Sequence, residues 1–100
     1  MITTMKTTVI KTPEEFRNFC SRLKPIFSLD CETNSLNYLD LELIGVSLCD
    51  GVQACYVDIT PKHKKKLLQI LDYYISEAKM VVFHNFPFDG MVLKKEGIEI

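Results

Sequence analysis

The chain has no charge excess of either sign. Its 12 Lys+Arg stand against 13 Asp+Glu, a net charge of −1 at pH 7, so no whole-chain basic field marks it for nucleic acid. A balanced total still allows local concentrations, because a site can gather carboxylates while basic residues sit elsewhere. Long apolar runs are also missing, which excludes a transmembrane helix. Met1 to Ile10 carries one lysine but no apolar stretch leading to a cleavage site, so no signal peptide is read there. A cytoplasmic protein with no membrane contact is expected. The four cysteines, Cys20, Cys31, Cys49 and Cys55, form no Cys-x-x-Cys pair, and His63 and His84 are the only histidines that could supplement them. Neither a zinc site nor a disulfide is expected, and the thiols are read as small apolar core residues. No repeat, low-complexity stretch or Gly/Ser-rich linker divides the chain, and 100 residues suit a single domain.

Clear local signals are present. Thr7-Thr8-Val9-Ile10 suits a short edge strand. Thr12-Pro13-Glu14-Glu15 offers a threonine cap, proline at the first helical position and glutamate three residues after the cap. Phe16, Phe19, Cys20 and Leu23 then follow at helical spacing until Pro25. Ile26 to Cys31 reads as a buried strand. Leu41 to Cys49 and Val52 to Ile59 read as a hairpin, with Asp50-Gly51 in the two central positions of a type I′ turn and Leu48 and Gln53 flanking it. Thr60-Pro61 is expected to open a second helix with Leu67, Leu68, Leu71, Tyr74, Ile75 and Ala78 on one face. Met80 to Phe83 reads as a further buried strand. Pro87 begins a third helix carrying Phe88, Met91 and Val92, with Gly97 as its C-terminal stop. The order predicts an α/β fold with a hairpin on one side and crossover helices on the other.

Two groups of residues could carry chemistry. In Phe27-Ser28-Leu29-Asp30-Cys31-Glu32-Thr33 the strand alternation places Asp30 and Glu32 on one side and Cys31 on the other. Two carboxylates so placed repel when both are ionised, and a hard divalent cation such as Mg²⁺ or Mn²⁺ removes that cost. In Phe83-His84-Asn85-Phe86-Pro87-Phe88-Asp89, the aspartate falls in the first turn of a helix that follows a strand. Each group has a plain structural reading: a polar strand end for the first, and a cap with a dipole-complementing acid for the second. If the two strands lie parallel and adjacent, Asp89 meets Asp30 and Glu32 at one sheet edge, where ligands of α/β sheets collect.

These stretches resemble a known family. Asp30-Cys31-Glu32-Thr33-Asn34-Ser35-Leu36 is similar to the first motif of DEDD-type 3′–5′ exonucleases, most nearly the proofreading domain of DNA polymerase I-like, family A polymerases. His84-Asn85-Phe86-Pro87-Phe88-Asp89 resembles the second motif, and the 59-residue separation of Asp30 and Asp89 fits. The resemblance covers about Val9 to Ile100. It implies an RNase H-like fold with sheet order 3-2-1-4-5, and Asp30, Glu32 and Asp89 as catalytic ligands of two divalent ions (Mg²⁺ or Mn²⁺). It implies substrate contacts from Thr33, Leu36 and Asn85. The implied partner is the 3′ end of single-stranded DNA, with RNA a further possibility, and a polymerase domain in the same parent chain. The third motif, a Tyr or His followed four residues later by Asp, is absent after Asp89. Residues 1–100 are therefore expected to be the N-terminal portion of one exonuclease domain and inactive alone. The alternative is a non-catalytic RNase H-like module that binds nucleic acid or protein.

The remaining features take plainer readings. Lys62-His63-Lys64-Lys65-Lys66 is read first as a solvated helix start, with phosphate contact the lesser alternative. His63 is expected to be exposed, His84 to be a local hydrogen-bond partner rather than a metal ligand, and Tyr73 and Tyr74 to pack in the core.

Overall fold

The structure is a computed structural model that describes residues 6–35, 37 and 39–100. In chain order the elements are β1 (Thr7–Ile10), α1 (Pro13–Cys20), β2 (Ile26–Thr33), β3 (Leu43–Cys49), β4 (Ala54–Asp58), α2 (Lys64–Glu77), β5 (Met80–Phe83) and α3 (Phe86–Lys95). The strands form one mixed sheet in the order β1-β4-β3-β2-β5. β2 and β3 are antiparallel, as are β3 and β4, while β1 runs parallel to β4 and β5 parallel to β2. Counted from the Asp30 strand, β4-β3-β2-β5 reproduces the first four places of the expected 3-2-1-4-5 order. Among the described residues the fifth place is empty, and β1 extends the opposite edge instead.

α1 forms as its cap dictates. The Thr12 hydroxyl accepts from the Glu15 N–H, and the Glu15 carboxylate reaches back to the Thr12 N–H, with both N···O distances near 3 Å. The helix stops at Cys20, so Leu23 lies beyond it and packs on the core from the following loop. α2 starts at Lys64 rather than at Pro61, because Thr60 to His63 close a separate turn through His63 N–H to Thr60 C=O. Leu67, Ile70, Leu71 and Ile75 are its buried face; Tyr74 packs on the core, but Tyr73 is 57% exposed, against expectation.

The hairpin is present, displaced by one residue. Cys49 pairs with Ala54 and Leu48 with Cys55, and Asp50 N–H donates to Gln53 C=O, so Gly51 and Val52 occupy the tip. Among the described residues only Gly51 and Gly97 have positive φ, which excludes type I′, since that turn needs two successive positive φ angles. Asp50 precedes the tip. Its carboxylate accepts from the N–H groups of Val52, Gln53 and Lys24, which fixes the turn from one side chain.

Phe27, Leu29, Cys31, Val46, Leu48, Cys55 and Val57 alternate onto one sheet face and join Phe16, Leu67, Leu71, Val92 and Leu93 in a single core. Cys20 is buried with them, as expected of small apolar thiols. The opposite face carries Val9, Ile26, Met80 and Val82, each 44% exposed or more. β5 is therefore a half-exposed edge strand rather than a buried one, because among the described residues its strand neighbour is β2 alone and its core contacts come from Val81 and Phe83.

Candidate functional site

Parallel pairing of β2 with β5 brings the two acidic motifs to one sheet edge. The register ends at Leu29 opposite Phe83, so β2 runs on past the end of β5. There the Cys31 N–H donates to Asp89 Oδ1 at 3.1 Å. A side chain from the first turn of α3 thus takes the place of the next strand residue. Asn85 sets that turn: its side chain accepts from the Phe88 N–H and its carbonyl from the Asp89 N–H at 2.8 Å.

Asp89 is fully buried, with 0% exposure, and among the described residues its second oxygen, Oδ2, has no hydrogen-bond partner. Burial pushes its pKa above the usual carboxylate value, and the charge of Asp30 pushes the same way; the N–H groups of Cys31 and Asn85's turn and the nearby His84 oppose the rise. A buried carboxylate with one oxygen unpaired is costly unless a proton or a cation meets it. Asp30 is half-buried and Glu32 exposed, both on the sheet face opposite Cys31, as the alternation requires. Burial raises the Cys31 thiol to about 12, and the charges of Asp89 and Asp30, a thiol hydrogen bond to the Asp89 carboxylate and the charge of Glu32 follow as causes. All three acids therefore act on this one residue.

Beside Glu32 the alternation of β3 breaks. Glu32 pairs with Gly45 but Thr33 pairs with Leu43, leaving Ile44 as the extra residue of a bulge. The inserted residue reverses which face its neighbours occupy, so Leu43 is buried and Ile44 is 40% exposed. Gly45 is overlain by the Tyr56 ring, whose hydroxyl occupies the space a Cβ would need. Burial raises the Tyr56 pKa, and so do the charges of Asp58 and Glu32, the two residues that pair with Gly45 on either side. No sequence motif marks Tyr56 as part of this edge. The signal available was a glycine inside a strand, which marks close approach of another group.

The other site residues divide. The Thr33 hydroxyl donates to Ser35 C=O at 2.8 Å and so braces the loop after β2. Leu36 lies outside the described residues. His84 is exposed and acts on Asp89 through charge, without a side-chain hydrogen bond among the described residues. His63 is half-buried and caps α2 with its backbone only. Asp30, Glu32 and Asp89 carry carboxylates, the hard oxygen donors that Mg²⁺ or Mn²⁺ prefers. Among the described residues no three His, Cys, Asp or Glu side chains are close enough to form a cage by themselves.

The sequence matches a family model described as 3′-5′ exonuclease over residues 7–100. No curated protein matches it. Among solved structures it is similar to the catalytic core of RRP6 from Trypanosoma brucei, with 18% identity, TM-score 0.70, and coverage of 95% of this chain and 27% of that one. It is similar to RNase D of Escherichia coli, described as an exoribonuclease involved in structured RNA processing, with 21% identity, TM-score 0.66, and coverage of 91% and 24%. It is also similar to Brucella melitensis NrnC bound to pGG, with 20% identity, TM-score 0.59, and coverage of 90% and 43%. The chain thus spans a quarter to under a half of these three proteins, and the likeness to them is one of fold, RNase H-like with a mixed sheet and flanking helices. With the family match running from the first residue of β1 to Ile100, this chain belongs to the 3′-5′ exonuclease family.

Proposed function

We propose that residues 1–100 are the N-terminal portion of a metal-dependent 3′–5′ exonuclease domain, in which Asp30, Glu32 and Asp89 hold two divalent ions at the 3′ end of a single-stranded nucleic acid. The observation that carries this reading is the buried Asp89 carboxylate, tied to the Cys31 N–H, with no hydrogen bond to Oδ2 among the described residues and the charge of Asp30 acting on it. Mg²⁺ or Mn²⁺ bound there supplies activation of the attacking water and stabilisation of the leaving 3′ oxygen. The chain's own contribution is placement. The Cys31 N–H fixes one Asp89 oxygen, the β2 alternation sets Asp30 and Glu32 on one face, and Asn85 holds the α3 turn. Thr33 and Leu36 are proposed to meet the terminal nucleotide, Leu36 against its base.

The polymer is proposed to be DNA, with proofreading as the role, on the likeness of Asp30–Leu36 and His84–Asp89 to polymerase-linked motifs. The description of RNase D as an exoribonuclease favours RNA as the second reading. The 100 residues contain no Tyr or His followed four residues later by Asp beyond Asp89. Their own trimming is therefore expected to be negligible, since the parts of a catalytic site fail together.

The test uses 3′-extended DNA and RNA oligonucleotides of equal sequence, labelled at the 5′ end, with Mg²⁺ or Mn²⁺. It is run on the 100-residue chain, on any longer product of the same reading frame, and on its Asp30→Ala variant. Stepwise 3′ trimming by the longer product, lost in the variant, supports the reading, and the preferred polymer decides between DNA and RNA. Absence of metal-dependent trimming moves the assignment to a non-catalytic binding module.

A further inference from the structure

The C-terminal end of the sheet carries a second feature, of opposite charge to the acidic site. α1 leaves β1 and α2 leaves β4 at this end, which is also where β2 delivers Asp30 and Glu32. Between α1 and the start of α2 runs a groove lined by Thr12, Arg17, Lys62, Lys65 and Lys66 among others, with Glu14 its single carboxylate among the described residues. Arg17, Lys62, Lys65 and Lys66 are all exposed. Among the described residues the one ion pair of this region is Lys64 with Glu96 at 2.8 Å, and Lys64 is the lysine of the run that does not line the groove.

The local sequence is unfavourable for the helix it begins. α2 has no acidic residue in its first turn and its His63 cap contributes no side-chain hydrogen bond, so three lysines stand where the helix dipole already favours negative charge. Four cations with no ion pair among the described residues are thus concentrated in one groove of a chain whose net charge is −1. Strand spacing of about 4.8 Å puts β4 and β1 some 10–15 Å from β2 across the same sheet end. Between strand ends that is a span of a few nucleotides, and a bound strand passes over the sheet end from the face of Asp30 and Glu32 to the face on which α1 and α2 pack.

We propose that this groove holds the phosphodiester backbone of the substrate a few nucleotides upstream of the 3′ end, with Arg17, Lys62, Lys65 and Lys66 as its phosphate contacts. This deepens the exonuclease reading and rests on it for the polarity of the strand. The contacts are to phosphate, so they carry no base preference and make binding dependent on salt.

The experiment measures binding of the 100-residue chain to a fluorescent single-stranded DNA of about 12 nucleotides and to a dinucleotide, by anisotropy across a salt series. The variants are Lys62→Ala/Lys65→Ala/Lys66→Ala and a control with the same charge change, Lys6→Ala/Lys24→Ala/Lys79→Ala. The control residues are exposed and lie at the opposite sheet end. The groove variant is expected to weaken binding of the longer strand about tenfold, lower the log–log salt slope by about 2, and leave dinucleotide binding unchanged; each single-strand phosphate contact contributes roughly 0.7 to that slope. The control is expected to match the unmodified chain in both ligands. Equal weakening by both triple variants, no weakening by the groove variant, or no binding of the longer strand at low salt overturns the proposal. Groove-dependent binding by a protein whose longer product shows no 3′ trimming keeps the groove and removes the exonuclease reading, so the two fail separately.

Discussion

The Cys31 N–H and the Asp89 carboxylate, 58 residues apart in sequence, meet at 3.1 Å just beyond the last pairing of β2 with β5. Asp89 is both a structural stand-in for a strand and the most buried acid of the candidate site. Replacing it by asparagine keeps an oxygen for Cys31 and removes the buried charge. Asp89→Asn is expected to leave the metal-free chain equally stable at pH 7 or up to about 1 kcal/mol more stable, while abolishing Mn²⁺-induced broadening of NMR signals from residues 30–33 and 85–90. Urea unfolding in the presence of a chelator and a Mn²⁺ titration check both halves.

The raised Asp89 pKa sets a pH dependence of definite sign. In the window above the ordinary aspartate value the folded chain keeps a proton that the unfolded chain has released. Stability from this group therefore falls as pH rises through that window, the reverse of a salt-bridged aspartate. Urea midpoints of the metal-free chain between pH 4 and neutrality are expected to decline less in Asp89→Asn than in the unmodified protein, and equal declines would refute the assignment.

At the hairpin tip Gly51 has φ of +90°. Gly51→Ala places a Cβ in a conformation that costs an L-residue about 1–2 kcal/mol, although nothing crowds the position. Asp50→Ala removes a carboxylate that three backbone N–H groups share and is expected to cost a similar amount. Burial tends to raise the Asp50 pKa, but the N–H donors of Gln53, Lys24 and Val52 outweigh it and hold the group low. Its contribution is therefore present above the ordinary aspartate value and lost as pH falls through the depressed one. Equilibrium unfolding of the two variants measures both costs.

Gly45→Ala sets a methyl group against the Tyr56 ring. The expected cost is about 1–3 kcal/mol in the single variant, with a smaller cost when Tyr56→Ala is added, because the displaced ring is then gone. A double-mutant cycle by urea unfolding gives the coupling, and strict additivity would show that the ring does not lie over this glycine.

Burial raises the thiols of Cys20, Cys31 and Cys55 to about 12, with Cys55's charge adding to the rise at Cys20 and the neighbouring acids at Cys31. At pH 8 these three are expected to resist alkylation in the folded chain, whereas half-buried Cys49 is modified first. Mass spectrometry after brief iodoacetamide treatment, with and without urea, counts the protected thiols.

Local chemistry was legible from residues alone where it is short in range. The Thr12/Glu15 cap needs only four neighbouring residues, and the alternation of Asp30, Cys31 and Glu32 follows from strand geometry, so each could be read before any fold was known. The two acidic motifs and their separation likewise placed the chain in its family. Three features depended on contacts between distant segments. The turn moved one residue because ladder register and the Asp50 carboxylate together chose Gly51 and Val52 for the tip. Ile44 faces outward because a bulge opposite Glu32 reverses the alternation there. Asp89 lost its water because β5 stops at Phe83 and α3 turns back onto β2, an event of packing that no window of sequence around residue 89 contains. Sequence alone determined which residues carry the carboxylates of the candidate site; the meeting of β2, β5 and α3 decided which of them is buried.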